Sequence, residues 1–176
     1  AAWKQDQFAV FGGTGGTVTV DKSGGTVSIG GAQFMVDGYV VQGDELNISG
    51  ASTVVRVGDG MAAGAAMTAT INSAITGTGG LSKEDLGTLV LGGANTYTGG
   101  TTVKAGVLQG NTSSLQGTIV NNASVVFNQT SSGTYAGNMS GSGSVTVQGG
   151  STLTLTGTNS YTGATTVSAG TLVVNG

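Results

Sequence analysis

The residues from Gly93 to Val103 read GANTYTGGTTV, and the residues from Gly157 to Val167 read GTNSYTGATTV. A shift of 64 positions superposes the two stretches, and the match extends without a gap to residues 76–112 over residues 140–176. In this overlap 17 of the 37 pairs are identical. Self-similarity at a fixed distance is the sequence signature of a repeat architecture, so we expect the same structural unit in both regions.

Each copy consists of short runs of strand-forming residues separated by turn residues. In the first copy, Leu89–Leu91 precedes a turn at Asn95–Gly100, and Thr101–Val103 follows that turn. After a further turn at Lys104–Gly106, the run Val107–Leu108 completes the unit. Three short strands with bends between them, within about 20–25 residues, are typical of one triangular coil of a parallel β-helix.

Composition and alternation favour the same all-β fold. Hydroxyl and aliphatic residues alternate in Thr17–Val20, Thr26–Ile29, Ser144–Val147 and Thr152–Thr156, which directs the aliphatic side chains to one face of a strand. The chain has 35 glycines and no proline, so long helices are disfavoured while a continuous strand ladder is not interrupted. A chain of this length provides about seven or eight coils. A sandwich or barrel of short strands is the competing architecture.

The composition also excludes several classes of function. With no histidine and no cysteine, the chain has no Ser-His-Asp triad, no imidazole base, no zinc ligands of these types and no disulfide. Five basic residues against eight acidic ones cannot form the positive surface that nucleic acid requires, so we expect no nucleic-acid partner. No run approaches the roughly 20 apolar residues of a membrane span.

An enzymatic site would have to be built from carboxylates. Asp37, Asp44 and Asp59 are about one coil or less apart in sequence, so a carboxylate pair of the kind used by polysaccharide-active β-helices, or a calcium site, remains an alternative. No calcium-binding nonapeptide recurs, and the glycine-rich stretch Gly12–Gly16 lacks the Lys-Ser/Thr pair of a phosphate loop. We therefore predict no catalytic residue, no cofactor and no metal ligand.

The repeat resembles the passenger-associated transport repeat of Gram-negative autotransporters (type V secretion), whose core reads L-x-L-x-G-x-N-x-Y-x-G-x-T-x-V-x-x-G-x-L. Both copies match these landmarks, and we single out as repeat-motif structural residues Leu89, Leu91, Asn95, Tyr97, Gly99, Val103, Gly106 and Leu108, with Leu153, Leu155, Asn159, Tyr161, Gly163, Val167, Gly170 and Leu172.

The resemblance implies an all-β fold, a right-handed parallel β-helix (β-solenoid), in an exported autotransporter passenger domain. It implies a secreted or cell-surface location in a Gram-negative bacterium, and a partner in the protein's own C-terminal outer-membrane barrel, which this chain lacks. The function it implies is assistance to outer-membrane translocation and folding, within the stalk of an adhesin or virulence factor. The alternative is direct adhesion or self-association, with a host surface, matrix or glycan as partner, and a polysaccharide-active enzyme is a more distant alternative.

Four expectations concern particular segments. We expect residues 1–176 to be one β-helix segment of a larger passenger, with residues 1–75 forming the coils before the first copy. The segment Leu81–Leu86 (LSKEDL) is the densest charge cluster, and we interpret it as a solvated corner, with a partner contact as the alternative. Residues Asn111–Gln116 are interpreted as a loop that leaves the coil. The early aromatic residues are expected to cap one end of the core: Trp3, Phe8, Phe11, Phe34 and Tyr39.

Overall fold

Twenty short strands follow one another in residues 4–176, the part of the chain that the computed structural model describes. They are β1 (Gln7–Phe11), β2 (Thr17–Val20), β3 (Val27–Phe34), β4 (Tyr39–Gly43), β5 (Leu46–Asn47), β6 (Thr53–Val57), β7 (Thr68–Ile71), β8 (Ile75–Thr76), β9 (Leu81–Glu84), β10 (Thr88–Leu91), β11 (Thr101–Val103), β12 (Val107–Gly110), β13 (Ile119–Asn121), β14 (Ser124–Asn128), β15 (Gly133–Tyr135), β16 (Met139–Ser140), β17 (Ser144–Gln148), β18 (Thr152–Leu155), β19 (Thr165–Val167) and β20 (Thr171–Val174). One short 3-10 helix, Ala62–Ala66, lies between β6 and β7. No helix within residues 4–176 is long and apolar enough to cross a membrane.

The strands form three faces of a solenoid, and the chain passes from the first face to the second and then to the third in every coil. The first face has the order β1, β3, β6, β9, β11, β13, β16, and the second has the order β2, β4, β7, β10, β12, β14, β17, β19. The start of β3 pairs with β5 on the third face, and β5 pairs with β8. Strands β15, β18 and β20 form a second group on that face. Every strand pair within residues 4–176 is parallel.

The all-β, parallel β-solenoid prediction is therefore confirmed. In the described residues the second face has eight strands, one for each coil, which agrees with the predicted seven or eight. The sandwich and barrel alternatives are wrong, because the strands pair in parallel with strands of the adjacent coils rather than with their neighbours along the chain.

The core is a set of columns in which one inward side chain of each coil stacks on that of the next. On the second face Ala69, Leu89, Leu108, Val125 and Val145 are register partners, and each is fully buried. Each fully buried valine or leucine side chain of the column stabilises the fold by about 1.5–3 kcal/mol. The period-two alternation of the sequence therefore fixes which residues line the solenoid.

The third face is interrupted between β8 and β15, where the chain crosses it twice without forming a strand. The first crossing is held by a hydrogen bond from the Thr96 amide to the Ile75 carbonyl (2.9 Å). The second crossing contains the predicted loop Asn111–Gln116, which forms a turn but does not leave the coil, because Leu115 and Ser114 are fully buried.

The predicted aromatic cap is only partly present. Phe11 stacks on Phe34 at 4.7 Å between ring centroids, and Tyr39 packs against both rings. Phe8 lies outside this cluster and is 48% exposed, since its ring covers Gly31 on the outer surface. Trp3 lies outside the described residues. Beside the aromatic cluster an apolar cavity of about 320 Å³ opens between β1, β2 and β3.

Candidate functional site

The asparagine of the first repeat copy connects three successive coils. This residue is Asn95, and its Oδ1 accepts a hydrogen bond from the Ile75 amide in the preceding coil (2.7 Å). Its Nδ2 donates to the Ser114 carbonyl in the following coil (2.7 Å). The side chain is 3% exposed, so both bonds lie in a low-dielectric environment where an unmade bond is costly. On the part of the third face that has no strands, the Asn95 side chain therefore supplies hydrogen bonds between coils that a strand ladder would otherwise supply.

The asparagine of the second copy makes the first of these bonds but not the second. Asn159 Oδ1 accepts from the Met139 amide, which is also 20 residues earlier in the chain (3.0 Å). Its Nδ2 donates to the carbonyl of Gly157 in its own coil (2.8 Å). The contact to the preceding coil is thus a constant feature of the motif in both copies.

The tyrosine of the motif binds the threonine four residues later in both copies. The hydroxyls of Tyr97 and Thr101 are 2.6 Å apart, and those of Tyr161 and Thr165 are 2.7 Å apart. Burial raises the pKa of Tyr97, so this phenol is a neutral hydrogen-bonding group at all ordinary pH values. The pair closes the corner between the asparagine segment and the Thr-Thr-Val strand.

The motif glycines lie where adjacent coils approach too closely for a side chain. A Cβ at Gly99 would lie 2.4 Å from backbone atoms of Gly79 and Gly80, and one at Gly163 would lie 2.2 Å from the Gly143 carbonyl oxygen. Gly106 and Gly170 both have a left-handed backbone, with φ of 67° and 89°. These positions require glycine for steric reasons, independent of any ligand.

The apolar landmarks of the motif point into the core, and their burial differs between the copies. Leu89, Leu91, Val103 and Leu108 are all 0–2% exposed in the first copy. In the second, Leu153 and Leu155 are equally buried, whereas Leu172 is half-buried and Val167 is 46% exposed. No coil of the described chain stacks beyond β19 and β20, which accounts for the difference.

The two copies lie on different faces of the solenoid. Leu89–Leu91 belongs to β10 on the second face, whereas the equivalent Leu153–Leu155 belongs to β18 on the third face. Likewise β11 pairs on the first face and its equivalent β19 on the second. Coils vary in length, so 64 residues correspond to three coils plus one face. The motif therefore fixes a local corner and does not mark one side of the rod.

The charge cluster at Leu81–Leu86 is not simply a solvated corner, and that prediction is wrong for its first three residues. Lys83 is fully buried and points inward, in register between Val55 and Val103. Its Nζ donates three hydrogen bonds, to the carbonyls of Glu84 (2.9 Å), Asp85 (2.7 Å) and Ala105 (3.1 Å). Burial lowers the pKa of Lys83 to about 8, against the opposing attraction of the Asp85 and Glu84 carboxylates.

The neighbouring glutamate faces outward and joins three coils by ion pairs. Glu84 accepts a hydrogen bond from Lys104 Nζ (2.8 Å), and its other oxygen is 3.5 Å from Arg56 Nε. The hydrogen bond from Lys104 is the main reason why the pKa of Glu84 is lowered. Arg56, Glu84 and Lys104 therefore form a charged column along the first face.

The acids considered for an enzymatic or calcium site each bind a different backbone amide. Asp37 accepts from the Thr68 amide, Asp44 from the Lys22 amide and Asp59 from the Met61 amide, at 2.7–2.9 Å. Within residues 4–176 no group of three or more acidic residues is arranged to hold a metal ion. Each carboxylate thus serves a local turn or strand end.

Comparison with known proteins identifies the repeat. Residues 81–109 and residues 145–174 match the family model of the passenger-associated-transport-repeat. The chain is also 52% identical over 109 residues to the adhesin BmaC autotransporter of Brucella suis biovar 1 (strain 1330). This alignment covers 62% of the chain and 3% of that relative. No solved structure matches the chain. The resemblance to autotransporter passengers with these repeats is thereby confirmed, and both matched stretches lie within the two copies found by self-comparison.

Two features of the site were missed by sequence reasoning. One is the change of face between the copies, which depends on the summed lengths of all intervening coils. The other is the inward position of Lys83, for which a signal existed: the 64-residue shift places Lys83 over Val147, a fully buried residue.

Proposed function

On the premise that the chain carries two passenger-associated-transport repeats, we propose that it is a stalk segment of an autotransporter passenger whose coil-by-coil folding outside the cell assists translocation across the outer membrane. The observation that carries the proposal is the bridging of three coils by Asn95. Each coil completes hydrogen bonds that the preceding coil has left open, so a folded coil is a template for the next.

The energetics of a solenoid support this role. Each coil contacts only its neighbours, so stability is roughly a sum of contributions along the rod. As each coil emerges and stacks, it buries its own aliphatic side chains and completes its own ladder bonds. The free energy of folding therefore favours movement of the chain in one direction, away from the pore.

A deletion in the full-length parent protein tests the proposal. Removal of this segment is expected to reduce the amount of passenger displayed on the cell surface, because the folding of its coils no longer assists translocation. Surface display is measured by flow cytometry on intact cells. Adhesion to host cells and bacterial clumping are scored in the same culture. If display is unchanged while adhesion or clumping falls, the segment is a binding surface and the proposed transport role is wrong.

A point variant tests the effect of coil stacking on display without changing the length of the passenger. Asn95→Ala removes both coil-to-coil bonds and is expected to lower display about threefold or more, since losing buried hydrogen bonds costs about 1–3 kcal/mol. Asn175→Ala is the matched control, because Asn175 is exposed. Equal display of the two variants would contradict the role assigned to coil stacking.

A further inference from the structure

All charged side chains of the chain lie in its first part. The five basic and eight acidic residues all occur at or before Lys104, and residues 105–176 contain none. Because the coils stack in chain order, the rod is divided along its length. The coils up to β11 carry the ion pairs, including Lys22 with Glu45 and the Arg56–Glu84–Lys104 column. The coils from β12 onward have hydroxyl, amide, aliphatic, aromatic and backbone groups and no charged side chain.

A polar groove opens on the third face of this uncharged part. It has a volume of about 320 Å³ and lies between the turn at residues 111–117 and strand β15. Thr112 and Gln116 line it from the turn, Thr134 lines it from β15, and Leu115 and Tyr135 form its base. The groove exists because the turn takes the place of a strand: within residues 4–176, β15 pairs with β18 alone.

The walls of the groove are held in place by hydrogen bonds behind them. The buried Gln129 accepts from the Thr112 amide (2.9 Å) and donates to the Thr112 hydroxyl oxygen (3.1 Å). That hydroxyl therefore retains its own proton for donation. Gln116 Nε2 donates to the carbonyls of Thr112 and Ser113, which leaves Gln116 Oε1 as an acceptor. The hydroxyl of Tyr135 is bound to the Gly117 carbonyl, which fixes the ring at the base.

We propose that this groove binds a sugar unit of a neutral polysaccharide. It offers a hydroxyl donor at Thr112, an amide acceptor at Gln116 and the exposed hydroxyl of Thr134, which can serve as either. Sugar hydroxyls are both donors and acceptors and match such a set. The volume lies at the lower end of ligand pockets, roughly 300–1,000 Å³, which suits one sugar unit with the rest of the chain outside.

The surroundings select against charged ligands and against a peptide strand. No cation from residues 105–176 lies near the groove to pair with a sulfated or carboxylated glycan, a nucleic acid or an acidic peptide. An extended peptide would have to add to the free edge of β15, which has only 3 residues and therefore few ladder groups. The inference does not depend on the transport role proposed above.

The test uses the 176-residue chain and a set of neutral pentasaccharides of glucose, mannose and N-acetylglucosamine, observed by saturation-transfer difference NMR and titration calorimetry. We expect one of the neutral probes to bind, with an affinity that is the same at low and high salt. A heparin hexasaccharide and a hexapeptide of alternating threonine and valine are the competing probes. Preference for either of these, or no binding of any neutral probe, overturns the proposal.

Variants locate the binding on the rod. Gln116→Ala and Thr134→Ala are each expected to weaken binding about tenfold, as expected for one lost ligand hydrogen bond. Thr154→Ala is the matched control, because Thr154 is the register partner of Thr134 on the next strand and lies outside the groove. Circular dichroism establishes that all variants are folded. If Thr134→Ala and Thr154→Ala have the same effect, binding is elsewhere and the groove is not the site. Surface display of the parent protein should be unaffected by any of the three.

Discussion

The two copies of the repeat have the same local structure in two different environments. In residues 76–112 and residues 140–176 the same asparagine binds an amide 20 residues earlier, and the same tyrosine binds a threonine hydroxyl. Yet the copies lie on different faces, and the first is enclosed by coils on both sides while the second is not. Local geometry is thus a property of the motif, whereas burial and face are properties of the stack around it.

The first expected difference between the copies concerns their last leucine. Leu108 is fully buried between Leu89 and Val125, whereas Leu172 has the single register partner Leu153 and is half-buried. We expect Leu108→Ala to lower the free energy of unfolding by about 3 kcal/mol and Leu172→Ala by about 1 kcal/mol. Urea unfolding followed by circular dichroism measures both. Equal losses would mean that stacking does not determine the contribution of a motif residue.

The second expected difference follows from Lys83, which stands where the other copy has Val147. The pKa of Lys83 is lowered from 10.5 to about 8 in the folded chain. Between these pH values the unfolded chain binds more protons than the folded one, so stability rises as the pH increases from 8 to 10.5. Below pH 8 the cost of burying the charged amine is fully present, and it amounts to about 3 kcal/mol.

The measurement is the free energy of unfolding as a function of pH for three proteins. The unsubstituted chain is expected to show the rise above pH 8, and Lys83→Met to lose it, because the titrating group is gone. Lys104→Met is the control: Lys104 is exposed in the following coil and pairs with Glu84, so its variant should keep the rise. If the stability of the unsubstituted chain is constant between pH 8 and 10.5, burial does not lower the pKa of Lys83 and the prediction is wrong.

A structural feature of this protein could be predicted from the sequence when it depends on neighbouring residues, and not when it depends on distant parts of the chain. Alternation in runs such as Thr152–Leu155 depends on neighbouring residues only, and it correctly predicted inward aliphatic columns. The face of each copy depends on a sum of coil lengths, for example 17 residues from Val107 to Ser124 against 20 from Ser124 to Ser144. Small differences of this kind have no strong sequence signal, because turns of different length are built from the same glycines and hydroxyl residues.

Lys83 shows a second kind of limit. Charge alone indicated an exposed position, since lysine is almost never fully buried without a partner. The partners here are three backbone carbonyls, including that of Ala105 in the next coil, and backbone groups leave no trace in the amino-acid sequence. The position was predictable only from its alignment with a core valine, which means that the repeat carried more information than the residue type.

The smallest expected difference isolates one hydrogen bond in its two environments. Tyr97→Phe leaves the Thr101 hydroxyl without this partner in a buried corner, which is expected to cost about 1 kcal/mol. Tyr161→Phe frees the exposed Thr165 hydroxyl to bind water, so we expect a loss below about 0.5 kcal/mol. A double-mutant cycle with Thr101→Val and Thr165→Val measures the two coupling energies directly. If the coupling energy at the exposed corner equals that at the buried corner, the stabilisation by this hydrogen bond depends on the geometry of the corner and not on its burial by the adjacent coils.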